Sequence, residues 1–140
     1  NSRQLPLRNI SKLISDIREG NETLAMIGIR KPSLHFYSRQ IVFYESNAPA
    51  GLINIKERFE TDKRSSSVDQ PNYDSETFLV VIDKYSKEKD HWKTLKYSEL
   101  GSYGIYDLLR VKKTDLEKYV KYLSKNGIIS NWREYKSEKF

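Results

Sequence analysis

The chain has 140 residues and a net charge of +6, with a pI near 9.4, so it is long enough for one domain with a buried core and favours anionic partners. It contains no cysteine, which excludes disulfides and thiolate chemistry. Its longest apolar run, Phe78–Ile82, is far too short to cross a membrane, and no signal peptide is recognisable, so we expect a cytoplasmic protein with no membrane partner. Because the chain begins at Asn1 without a methionine, we also expect it to be a domain of a longer protein.

The first half of the chain is predicted to form one helix and three strands. Apolar residues recur at helical spacing over residues 10–17, which predicts a first helix over about residues 8–19. The three strands are predicted at Thr23–Arg30, Arg39–Glu45 and Leu52–Phe59. The connections are short enough for an antiparallel meander. The two-residue period of a strand then places Lys56 and Arg58 on one face of the third strand.

The middle of the chain carries weaker signals. Residues 61–76 are polar and serine-rich, which predicts a loop. Thr77–Asp83 is apolar and β-branched, which predicts a strand. The stretch that follows is ambiguous and could hold a strand near residues 92–97 and a short helix near residues 106–110.

The last helix has the clearest boundaries. The letters TDLE at residues 114–117 form a capping box in which Thr114 is the cap, and Leu116, Tyr119, Val120 and Leu123 form a buried stripe. Gly127 is expected to end the helix in a left-handed conformation. The element order predicts an α+β fold, a central antiparallel sheet flanked by two helices. One helix on each face would explain why the first strand is apolar on both sides.

Arg30, at the end of the predicted apolar strand, is the first candidate for a functional residue. A buried guanidinium without a partner is costly, so Arg30 either reaches solvent or meets an anion. Arginine at a strand end more often lies on the surface or in an internal ion pair. Residue type and position therefore leave both roles open.

Three stretches resemble the Src homology 2 (SH2) domain, the phosphotyrosine-binding module. AMIGIRKPS, residues 25–33, is similar to that family's FLVR motif, with Arg30 in the place of its arginine. GLINIKERF, residues 51–59, is similar to its third strand, and TDLEKYVKYLSKNGII, residues 114–129, to its second helix. The resemblance implies a single SH2-like domain over residues 1–140, with a long insertion at about residues 61–113 between the third central strand and the last helix.

The resemblance also implies a function. We expect a phosphotyrosine-binding module that recognises tyrosine-phosphorylated proteins or peptides, with low selectivity for flanking residues. A phosphotyrosine carries nearly two negative charges, and the planar fork of an arginine can hold two of its oxygens. The implied pocket residues are Arg30, Arg8, Ser33, His35, Lys56 and Arg58. Domains with such an insertion are similar to those in effector proteins of intracellular bacteria, which implies a role in signalling and delivery into the host-cell cytoplasm.

A nucleic-acid-binding winged helix is the alternative. Residues 114–130 also resemble a recognition helix followed by a wing strand, and the chain is basic. Against the winged-helix hypothesis, the helix uses Leu116, Val120 and Leu123 for the core. If the chain is a phosphotyrosine-binding module, no nucleic-acid partner is expected. An enzyme is not expected, because the sequence has no Ser/His/Asp spacing or glycine-rich phosphate loop. No cofactor and no metal are expected either.

Overall fold

A computed structural model describes residues 12–14, 16–17, 22–28, 42–65 and 75–131, which form an α+β structure around a five-stranded mixed sheet. The strands are β1 (Leu24–Ile27), β2 (Val42–Glu45), β3 (Thr77–Asp83), β4 (Ser98–Tyr103) and β5 (Tyr106–Lys112). The helices are α1 (Pro49–Ser65), α2 (Lys84–Lys87), α3 (Asp90–Thr94) and α4 (Lys113–Lys125). Residues 12–14 and 16–17 are also helical.

The sheet combines parallel and antiparallel pairs in the order β2-β1-β3-β5-β4. β1 is parallel to both β2 and β3, whereas β5 is antiparallel to both β3 and β4. The predicted antiparallel meander of the first strands is therefore wrong. β2 and β3 lie on either side of β1 and run in the same direction, so the chain must cross over between them, and α1 lies in that connection. Only Gly104 and Ile105 separate the antiparallel strands β4 and β5.

β1 is apolar on both faces because helices cover both sides of the sheet. Ala25 and Ile27 belong to the core cluster that includes the inner faces of α1 and α4. Leu24 and Met26 belong to the opposite cluster, in which Ile14 of the N-terminal helical residues is 2 % exposed. The expectation of helices on both faces is confirmed, but one face carries two long helices.

The predicted third strand is the first part of α1. Pro49, whose fixed φ suits the first turn, is the first helical residue, and Leu52, Ile55 and Phe59 recur at helical spacing toward the core. Two positions apart on a helix correspond to a rotation of about 200°, so Lys56 and Arg58 do not share a face. α1 also continues to Ser65, into the stretch predicted as a loop.

The predicted strand at Thr77–Asp83 is confirmed as β3. The two ambiguous segments after it are reversed, because residues 92–94 end the helix α3 and residues 106–110 lie in the strand β5. Trp92 is fully buried from α3, and β5 pairs along the whole length of β3. An insertion at residues 61–113 is not confirmed, since β3 and β5 from that range lie within the sheet between β1 and β4.

The last helix has the predicted end, and its predicted stripe is buried at Leu116, Val120 and Leu123 and partly buried at Tyr119. Gly127 has a φ of +88°, and its N–H donates to the Ser124 carbonyl at 3.1 Å while Ile128 N–H donates to the Leu123 carbonyl at 3.1 Å. These two bonds define a Schellman motif. The predicted cap is wrong, because α4 begins at Lys113 and the N-cap is Lys112, which makes no side-chain capping bond.

Candidate functional site

A groove of about 570 Å³ opens between α1 and the first turn of α4, and we call it the α1–α4 groove. The start of β3 and the end of β5 complete its walls. Its volume is in the range of small-molecule sites in proteins. Six charged residues line it: Lys56, Glu60, Glu76, Lys112, Lys113 and Glu117. Their charges, three positive and three negative, sum to zero.

The groove contains one aromatic side chain, Phe59 of α1. Its ring packs against the rings of Phe43 and Phe78, with centroids 5.4 and 5.1 Å away. The Lys113 ammonium lies 4.3 Å from the Phe59 ring centroid, a cation–π arrangement. The aromatic cluster therefore fixes Phe59 and, through it, favours one position for the Lys113 amine in the groove.

Two contacts hold the walls of the groove. Lys56 Nζ lies 2.8 Å from Glu60 Oε1, one helical turn further along α1. Lys113 N–H donates to the Glu76 carbonyl at 2.9 Å, which joins the start of α4 to the residue before β3. The second contact joins two segments of the groove, whereas the first lies within α1 and orients its two side chains.

The opposite end of the sheet carries a polar network at the C-terminal ends of β1, β2 and β3, where ligands often bind in open α/β sheets. Ser86 Oγ donates to Asp83 Oδ1 at 2.6 Å and accepts from Asn47 Nδ2 at 2.8 Å. His91 Nε2 lies 2.5 Å from the Asn47 carbonyl oxygen. Ser86 is 2 % exposed and its hydroxyl is already engaged, so this strand-end network ties loops together.

Asp107 is a buried carboxylate shared by two lysines. Lys84 Nζ and Lys87 Nζ each lie 2.6 Å from one of its oxygens. Burial raises the pKa of the Asp107 carboxyl, but hydrogen bonds from Lys84, Lys87 and Ser102 and the charge of Lys87 outweigh it, so the pKa lies below its ordinary value. Burial lowers the pKa of Lys87, but its contacts with Asp107 and Glu99 raise it more. Both groups are therefore held in their charged forms.

Glu45, at the end of β2, is a buried carboxylate whose pKa is shifted in the opposite direction from that of Asp107. Asn54 Nδ2 donates to its Oε1 at 2.9 Å, and Arg58 Nη2 lies 2.9 Å from its Oε2. Burial nevertheless raises the pKa of Glu45, and the bonds from Asn54 and Ser46 and the charge of Arg58 do not compensate. Asn54 also bonds Asn131 in both directions, which ties the C-terminal described residues to α1.

Glu22, just before β1, is bound by an arginine through two atoms. Arg110 Nε and Nη2 donate to its two carboxylate oxygens at 2.8 and 2.9 Å, and Thr77 Oγ1 donates at 2.5 Å. Arg110 Nη2 also donates to the Ile17 carbonyl at 2.9 Å. This ion pair joins the N-terminal helical residues to β3 and β5.

Of the sequence-predicted site residues, Lys56 and Arg58 lie in the described part of the chain, and the structure does not bring these two together. Arg8, Arg30, Ser33 and His35 lie outside the described residues, so their roles stay predictions. Lys56 lines the α1–α4 groove, but Arg58 points to Glu45 and lies 5.4 Å from the Phe43 ring centroid. A shared wall of Lys56 and Arg58 is wrong, because it depended on a strand where the chain forms a helix.

Sequence reasoning missed the other groove residues, which come from separate segments of the chain. The letters KKTDLE at residues 112–117 place two lysines at the start of a helix, and this pattern is the local signal that could have identified part of the groove. Within the described ranges, no group of three or more His, Asp or Glu residues is arranged to hold a metal ion. None of the described helices is long and apolar enough to span a membrane.

Residues 17–127 match the family model described as "Cyanobacterial RgtA-type glycosyltransferase, C-terminal domain". No curated protein and no solved structure matches the chain. The family match overturns the SH2 assignment, and with it phosphotyrosine binding, signalling and an effector role. It gives no support to the nucleic-acid-binding alternative either. Because the match covers more than half of the chain, including all five strands, the chain belongs to the RgtA-type glycosyltransferase C-terminal domain family.

Proposed function

We propose that the chain is a non-catalytic domain that works beside the catalytic part of a glycosyltransferase and contributes by binding. The family match over residues 17–127 is the observation that carries this proposal, since the family is described as the C-terminal domain of such an enzyme. The α1–α4 groove is the surface on which the domain would bind. Cytoplasmic location and the absence of a membrane partner stay predictions.

The state of the buried carboxylates supports a non-catalytic role. A general base must reach the proton that it removes. Asp107 and Glu22 are 2 % and 1 % exposed, and cationic side chains occupy their oxygens. Glu45 is bound by Asn54 and Arg58. These acids stabilise the fold, whereas the carboxylates of the α1–α4 groove lie on its surface.

The test compares the chain alone with a glycosyltransferase that carries this domain. The isolated chain is expected to transfer no sugar from nucleotide-linked or lipid-linked donors. In the whole enzyme, Lys113→Ala is expected to raise KM and leave kcat nearly unchanged, because a binding contact is lost while the chemistry is intact. Lys125→Ala, in the last turn of α4 and outside the groove, is the matched control. Sugar transfer by the isolated chain, or a fall in kcat at constant KM, would contradict the proposal.

A further inference from the structure

We infer that the α1–α4 groove binds a neutral, hydroxyl-rich carbohydrate. This inference rests on the proposed function, and it names the class of ligand for the same groove. The observation behind it is the even mixture of ammonium and carboxylate groups around one aromatic ring.

The mixture of charges suits a ligand that both donates and accepts hydrogen bonds. An ammonium group can only donate, and an ionised carboxylate can only accept. A sugar hydroxyl does both, so one pyranose ring can meet Lys113 on one side and Glu117 on the other. Phe59 adds an apolar surface, against which the C–H groups of a sugar ring can pack.

A phosphorylated or otherwise anionic ligand fits the groove less well. Its negative charge would meet Glu76 and Glu117, and repulsion between like charges at short range is unfavourable. The ammonium of Lys56 is already paired with Glu60. The groove also contains no arginine among its lining residues, whereas planar bidentate recognition of phosphate favours arginine.

A purely apolar ligand fits poorly as well. It would remove water from charged side chains of both α1 and α4 without replacing their hydrogen bonds. The Lys113 ammonium lies 4.3 Å from the Phe59 ring centroid, so an apolar ligand packed on this ring would also remove water from that charge. Polar hydroxyl groups can replace the lost water, whereas hydrocarbon cannot.

Amide NMR spectra of the chain during titration provide the test. The probes are a panel of neutral disaccharides (maltose, cellobiose, lactose and mannobiose) and inorganic phosphate. We expect at least one disaccharide to shift the amides of residues 75–77 and 113–117, and phosphate to shift them weakly or not at all. Replacing both acceptors, Glu76→Lys with Glu117→Lys, should weaken the disaccharide by at least about tenfold, because two charged hydrogen-bond acceptors are lost together, and should create phosphate binding.

A matched variant controls for net charge. Glu88→Lys with Glu99→Lys changes the charge equally on exposed side chains outside the groove, and it should leave both titrations unchanged. If the groove variant does not fold, Glu76→Gln with Glu117→Gln tests the same acceptors without added charge, and it too should weaken the disaccharide.

The outcomes separate the two proposals. Absence of binding by every disaccharide, tighter binding of phosphate than of sugar, or shifts confined to the strand-end network would overturn the carbohydrate assignment and leave a non-catalytic domain intact. Sugar transfer by the isolated chain would overturn the proposed function, whichever ligand the groove binds.

Discussion

Gly28, the residue after β1, combines an unusual backbone conformation with a close approach. Its φ is +75°, and an added Cβ would lie 2.9 Å from Asp83 Oδ1 and 3.0 Å from Ser86 Oγ. Gly127 also has a positive φ, +88°, but an added Cβ there would meet nothing within 4 Å. Substitutions at the two glycines therefore distinguish the cost of backbone strain alone from the cost of strain with steric contact.

Gly28→Ala is expected to destabilise the fold more than Gly127→Ala. Alanine at Gly127 should cost about 1–2 kcal/mol, the price of a left-handed residue. At Gly28 the contact with the strand-end network should add about 1–3 kcal/mol, as overpacking does elsewhere. Urea unfolding of the two variants measures the difference, and equal losses would show that the network shifts to accommodate the methyl group.

Asp107→Asn is expected to cost about 2–4 kcal/mol near neutral pH, because Lys84 and Lys87 lose the buried negative charge that they share. The pKa of Asp107 is lowered in the folded chain, so its contribution is present above about pH 4 and is lost as the pH falls. The gap in unfolding free energy between parent and variant should therefore shrink in acid. Asp90→Asn, at an exposed carboxyl, is the control and should change stability little at either pH.

Glu45→Gln is expected to show the opposite pH dependence. Because burial raises the pKa of Glu45, its contribution is greatest below the ordinary value of 4.5 and is lost as the pH rises through the raised value. The stability of the parent relative to the variant should thus fall with rising pH. Urea unfolding of both proteins across that range checks the sign, and a gap that widens with pH would contradict the direction given for Glu45.

These buried carboxylates were not predictable from the sequence. In the letters YDLLRVK of β5, the alternation of a strand places Asp107 on the same face as Leu109. Nothing local indicates that two lysines from α2 would neutralise it. The pairs Asp107–Lys87 and Glu22–Arg110 form between segments distant in the chain, so they follow from the sheet order and not from any motif.

At the scale of elements, β3 and α4 were predictable because their signals are local. β3 is a continuous run of apolar and β-branched residues, and α4 has a helical stripe ended by Gly127. α1 carried a local signal too, since Pro49 precedes Leu52 and Ile55 at helical spacing. Its isoleucines at alternate positions also suit a strand, and the resemblance to a glycine-led strand favoured that incorrect choice.

The ion pair of Arg110 joins separate elements, because it binds Glu22 through two nitrogens and also donates to the Ile17 carbonyl. Arg110→Lys is expected to cost about 1.5–3 kcal/mol, since lysine cannot reproduce the fork. Hydrogen exchange should accelerate at residues 12–14 and 16–17, because Arg110 donates to the Ile17 carbonyl. Arg58→Lys, where the arginine contacts Glu45 through Nη2, is the comparison and should cost less. Equal losses in the two variants would refute a special role for the fork.

At the scale of the whole molecule, the parallel pairing of β1 could not be predicted from the sequence. Strand periodicity determines which side chains share a face, but it does not determine which strands become neighbours. β1 pairs with β2 and with β3, and β3 follows only after α1. The α1–α4 groove depends on the same topology, because its walls come from α1, β3, β5 and α4. The lysines of the groove are visible in the sequence, but the shape of the groove could not be predicted from it.

The match over residues 17–127 is shorter than the set of residues that stabilise the fold. Ile14 lies before it and is 2 % exposed, packed against Leu24 and Met26 in one core cluster. Asn131 lies after it and exchanges two hydrogen bonds with the buried Asn54. A chain cut to residues 17–127 should therefore be less stable than one cut to residues 12–131. The loss of Ile14 should cost about 2–5 kcal/mol, and the loss of the hydrogen bonds between Asn54 and Asn131 about 1–3 kcal/mol.

Denaturant unfolding of the two shortened chains measures this loss. Two substitutions in the longer chain, Ile14→Ala and Asn131→Ala, divide it between the two ends, and because these residues belong to different contacts their effects should add. The first should expose the sheet face that carries Leu24, and the second should loosen α1 near Asn54. If the chain of residues 17–127 unfolds at the same denaturant concentration as the longer one, the family match already contains every contact that the fold requires, and the core role assigned to Ile14 is wrong.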